Sequence, residues 1–134
     1  MSATAADGPS HVQARQTLIP LLREYTESLN AQMVDARSIA DRLVTAASFD
    51  ECTYLVELLH GADLRIRDME SAVGNLSRRV SQLLEHGRFE HEDDQVELQL
   101  RLADLESTLR AALDTTNHAV QFAQAARQNA AQQK

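Results

Sequence analysis

Tryptophan is absent from this 134-residue sequence, and the other aromatics amount to three Phe and two Tyr. Large rings supply much of the area buried in thick globular cores, so thin seams of Leu, Val and Ala are expected instead. Four Gly and two Pro leave little punctuation for the turns of an all-β fold. A single cysteine, Cys52, excludes an internal disulfide and a cysteine metal cluster, and a reducing, intracellular setting is expected, most simply the cytoplasm. The opening "MSATAADGPS" lacks the basic and apolar regions of a secretory signal. No run approaches the ~20 apolar residues of a membrane helix, and "LIPLL" is interrupted by proline. No membrane partner is expected.

Cations are also in short supply. The net charge is −7, against the clustered bases that phosphate binding needs, so nucleic acid is not an expected partner. The excess is local. Residues 1–48 carry five acids and four bases, residues 95–134 carry four of each, and residues 49–94 carry eleven acids against five bases.

What the chain has is helical periodicity. After a polar lead at 1–10, Leu18, Leu22, Tyr25, Leu29, Ala36, Ile39, Leu43 and Ala46 follow steps of three and four, broken by Gln32. The spacing predicts a helix over about 18–47, with Thr17 as N-cap and Pro20 in the first turn, where a missing N–H costs nothing. Residues 11–17 fit either a separate turn or a kinked extension. A second apolar line, Ile19, Met33, Ala40 and Ala47, runs around Thr26 and suits a helix that touches two neighbours. Ser48 and Glu51 have capping-box spacing, marking a new helix start.

The second helix, 49–86, has the strongest pattern: Cys52, Leu55, Leu59, Ala62, Ile66, Met69, Val73, Leu76, Val80 and Leu83 follow without a polar interruption. A pattern sustained over more than four heptads is a coiled-coil signal. Gly61 and Gly74 lie off this seam and read as tolerated surface glycines. The third helix, about 93–128, carries Leu98, Leu102, Leu105, Leu109, Ala112, Thr116, Ala119, Ala123, Ala126 and Ala130, leucine giving way to alanine. The last residues, 131–134, read as a frayed end. At ~1.5 Å per residue the second and third helices are each roughly 50 Å long, and a short turn favours an antiparallel hairpin. The fold class is therefore all-α. An elongated antiparallel three-helix bundle, or coiled-coil hairpin, is expected over a single domain at 11–130. Leu58, Leu84, Leu113, Val120 and Phe122 widen the stripes and leave apolar surface for association.

The one stretch that resembles chemistry is "HGRFEHEDD", residues 86–94. Helical metal sites place ligands three or four apart on one face. His86 and His91 are five apart across Gly87, and the acids match no calcium-loop spacing. A bend accounts for each residue better. Gly87 suits a left-handed helix closure, His86 the last turn, and Glu92, Asp93 and Asp94 the positive end of the next helix. Phe89 is placed to cover the open end of the hairpin. Cys52 sits on a seam as a buried thiol, with no base near it in sequence, and His60 and His118 fall on solvated faces. No strained turn, glycine-rich loop or aromatic pocket supports catalysis, so no enzyme activity, cofactor or small-molecule substrate is expected.

The expected function is a non-enzymatic coiled-coil interaction module, a structural or adaptor subunit of a larger assembly. It would bind helical protein partners or further copies of itself. The seam assigned to partners is Leu55, Leu59, Ile66, Met69, Val73, Leu76, Val80 and Leu83, with Leu98, Leu102, Leu105 and Leu109. Glu90, Glu92, Asp93 and Asp94 would form an acidic tip contact. The alternative is a small acidic helical chaperone or regulator that shields an amphipathic client helix, using space left beside the alanine half of the third helix.

Overall fold

The structure, a computed structural model, describes residues 12–46, 48–89 and 91–132. Of these, 94% are helical, in three helices packed against each other, with no strand among the described residues. The first helix comprises a π-helical turn, Gln13–Leu18, running directly into α1, Ile19–Val44. It is followed by α2, Phe49–His86, and α3, Glu92–Gln132.

The first helix starts earlier than its periodicity indicates, and Thr17 is an interior residue, not its N-cap. Pro20 explains the intervening geometry. In a regular α-helix its ring would press on the carbonyl four residues back, and it has no N–H to donate. Widening the preceding turn relieves that clash. Ile19 N–H accordingly bonds to Ala14 O, five residues back. α1 ends at Val44, short of the expected 47, as Thr45 and Ala46 bond back only three residues, to Arg42 O and Leu43 O at 3.2 and 3.3 Å. Ala47 lies outside the described residues.

α2 begins as its cap demands. Ser48 Oγ accepts from Glu51 N–H at 3.1 Å, satisfying one of the first-turn donors. Its far end departs from expectation. No described glycine has a positive φ, so Gly87 does not close α2 in the left-handed conformation. Gly87 N–H instead completes an ordinary helical bond to Leu83 O at 2.7 Å, and among the described residues the chain leaves the helix without a positive φ. α3 opens on Glu92, Asp93 and Asp94, whose carboxylates complement the helix's positive end. It persists to Gln132, beyond the expected end at 128. Alanine is the best helix former, and Ala126 and Ala130 also pack against a core cluster. The expected lead at 1–10 and residues 133–134 lie outside the described residues.

The helices contribute to two compact units. One contains the described residues up to Glu27 with Met69–Thr108, and its buried side chains include Ala14, Leu18, Ile19, Leu22, Val73, Leu76, Val80, Leu98, Leu102 and Leu105. The other contains Ser28–Asp68 and the described residues from Leu109 onward. Its core gathers Ala36 and Leu43 from α1, Cys52, Leu55, Val56 and Leu59 from α2, and Ala119 and Ala123 from α3. Burying each leucine is worth roughly 1.5–3 kcal/mol. Ala119 and Ala123 present only methyl groups to this core, so the alanine half of α3 takes part in the packing.

Candidate interaction surfaces

Nine of the twelve seam positions assigned to partners are buried within the chain's own units: Leu55, Leu59, Ile66, Val73, Leu76, Val80, Leu98, Leu102 and Leu105. Met69, Leu83 and Leu109 are half-buried. The periodicity thus identifies core correctly, but intramolecular packing consumes the surface it was expected to offer. Leu58, Leu84, Leu113 and Val120 are likewise half-buried, whereas Phe122 is exposed.

The acidic tip divides. Glu92 and Asp93 are exposed and Glu90 lies outside the described residues. Asp94 is 2% exposed and cannot serve as a tip contact. Arg15 Nε donates to Asp94 Oδ1 at 2.5 Å, and Arg15 Nη1 donates to Glu97 Oε2 at 2.5 Å. One guanidinium therefore joins the π-helical turn to the first two turns of α3. The hydrogen bond to Asp94, followed by the charges of Asp94 and Glu97, holds the Arg15 guanidinium above its ordinary pKa, against partial desolvation. Sequence reading missed this cluster, whose members lie 79 and 82 positions apart. A signal was present: Asp94 stands four residues before Leu98, so it continues the α3 seam inward.

Several other polar groups have partners within the chain, although Thr53 Oγ1 and Asp63 Oδ1 are buried without a hydrogen bond. Gln32, the break in the α1 pattern, accepts from Arg65 Nε at 3.0 Å. Thr116 is fully buried and donates to Ala112 O of its own helix. Thr115 Oγ1 donates to Met33 Sδ at 3.8 Å. Two ion pairs lie within single helices at four-residue spacing, Asp63–Arg67 at 2.9 Å and Glu97–Arg101 at 3.8 Å. His118 is an exposed residue, with Nδ1 2.8 Å from Asp114 O. Cys52 is a buried free thiol. Among the described residues no three His, Cys, Asp or Glu side chains gather as metal ligands, and no helix is long and apolar enough to cross a membrane.

Among the apolar side chains and grooves open to solvent, two features bear on association. On α3, Val96 and Leu100 are 46% and 67% exposed. They stand one turn apart on the face turned away from Leu98, Leu102 and Leu105, so this part of α3 is apolar on both sides. Grooves between helices are the second feature. In the first unit a groove is lined by Gln13, Arg79, Gln82, Leu83, His86 and Gly87. In the second unit another has Ile39 and Leu58 beside Asp35, Ser38, Glu57, Gly61 and Arg65. The first sets one leucine among polar side chains, and the second sets two apolar side chains among charged and polar ones.

Comparison with family models, with curated protein sequences and with solved structures returned no match at the significance required.

Proposed function

We propose that this chain is a non-enzymatic helical interaction module, a structural or adaptor subunit that associates through surface left outside its own packed seams. The observation that carries this reading is the outward pair Val96 and Leu100 on α3. Single exposed leucines are common on soluble proteins, but adjacent apolar side chains on a face the fold does not use mark association surface. Helical surfaces of this kind pair with other helices by ridge-into-groove packing. The chain's own copies and other helical proteins are the candidate partners, and an intracellular location fits the lone buried thiol.

A second reading, a helical chaperone that transiently shields a client's amphipathic helix, draws on the Ile39/Leu58 groove of the second unit. The two differ in stoichiometry and lifetime. Affinity purification of the tagged chain from its native source, followed by mass determination, separates them. The module reading predicts co-assembly at fixed stoichiometry with a helical protein. The chaperone reading predicts a one-to-one complex that dissociates on dilution, and a monomer without partner contradicts both.

A further inference from the structure

We propose that the groove lined by Arg79, Leu83 and His86 docks an acidic amphipathic helix of a partner protein, an inference that rests on reading the chain as an interaction module. The groove lies between the turn carrying Gln13 and the last turns of α2, and among the described residues its lining contains no carboxylate. This is the reverse of its sequence neighbourhood, where residues 49–94 hold eleven acids and five bases. A partner of complementary charge is therefore acidic on the side that faces the groove, and the flanking carboxylates of this chain favour charge confined to that side over a polyanionic backbone such as nucleic acid.

Leu83 gives the lining an apolar member. Leu83 is half-buried, whereas Val73, Leu76 and Val80 of the same seam are buried, so the apolar stripe of α2 surfaces here. Residues 79–87 span about 12 Å along the helix, or two turns. A trough of that length between two packed helices is the shape that a further helix fills in a bundle. Arg79 and His86 stand seven positions apart on one face, both exposed. Among the described residues Arg79 has no ion-pair partner, and His86 Nε2 stands 3.8 Å from the exposed Glu85. The matching occupant carries two carboxylates about seven residues apart, with a leucine-class side chain between them to cover Leu83. Arginine–carboxylate hydrogen bonding then sets register, and the apolar contact supplies affinity.

The test titrates isotope-labelled full-length chain with a synthetic helical peptide of ~15 residues. It carries Glu seven positions apart and Leu between, and the control has Lys for each Glu. The acidic peptide should shift the amide resonances of residues 79–87 and Gln13, while the Lys peptide does not. Arg79→Glu and His86→Glu, both exposed, should retain the wild-type helical spectrum and weaken binding by roughly tenfold or more. Equal binding of the two peptides, shifts mapping elsewhere, undiminished binding by Arg79→Glu, or no shift at ~1 mM peptide would each overturn the proposal. A stable helical partner from the native source whose cross-links lie on another face would leave the module reading standing and remove only this groove from it.

Discussion

Arg15 and Asp94 meet at 2.5 Å, the cation half exposed and the carboxylate buried, with Glu97 on the same guanidinium. A buried charge that loses its partner is costly, more so than replacing both members of the pair. Arg15→Met should therefore lower the urea midpoint clearly, and Arg15→Met/Asp94→Asn should recover part of the loss. A double variant as unstable as the sum of the two singles would show that the pair is uncoupled.

The same pair has a defined alkaline behaviour. The pKa of Arg15 is raised in the fold. A raised group contributes stability that is fully present below its unfolded pKa and lost only as pH rises through the folded one. For arginine both lie above any working pH. The midpoint difference between wild type and Arg15→Met should stay constant from about pH 7 to pH 10. A difference that shrinks across this window would contradict the assignment.

Gly74 is exposed on α2, and a Cβ built there meets nothing within 4 Å. Gly74→Ala should stabilise the chain by about 1 kcal/mol, through helix propensity alone. Gly61→Ala should gain less, because its Cβ would stand 3.4 Å from Arg65 Nη1, a flexible tip that must shift slightly. Thermal unfolding by circular dichroism reads both. A loss of stability in Gly74→Ala would mean that this face is already covered in solution.

Ser48 caps α2 through the bond to Glu51 N–H, and Ser48→Ala should cost about 0.5–2 kcal/mol. In the second unit, Leu55→Ala and Leu59→Ala each empty a fully buried site and should cost about 2–5 kcal/mol. Thr116→Val, at equal volume, should stay within about 1 kcal/mol of wild type because the lost bond lies inside one helix. A cost for Thr116→Val comparable to the leucine truncations would indicate that its hydroxyl specifies packing between helices.

Seam positions such as Leu55, Leu59, Leu98 and Leu105 were legible in the sequence because burial follows helical period. So was the start of α2, since a serine cap and a glutamate three residues later act locally. The start of the first helix was not, because Pro20 reads locally as a first-turn residue, whereas tertiary burial of Ala14 and Leu18 and the Arg15 tie to Asp94 and Glu97 favour the helix before it. Gly87 misled for the opposite reason: its conformational freedom was available but not required. The Arg15 cluster depends on tertiary proximity, which no local rule encodes. Periodicity also could not say whether a seam is covered by its own chain or another, and here its own helices cover most of it.

The central claim, that the chain works by helix-to-helix association through surface outside its core, is tested most directly by mass. The tagged chain and its Val96→Asp/Leu100→Asp variant are purified from the native source and measured by light scattering. Both substitutions lie on exposed positions, so the helical spectrum should be unchanged. The account predicts a wild-type complex of fixed stoichiometry, heavier than the 14.9 kDa chain, and a variant that has lost its partner. A wild-type mass equal to the free chain, or a complex that both proteins form equally well, would contradict it.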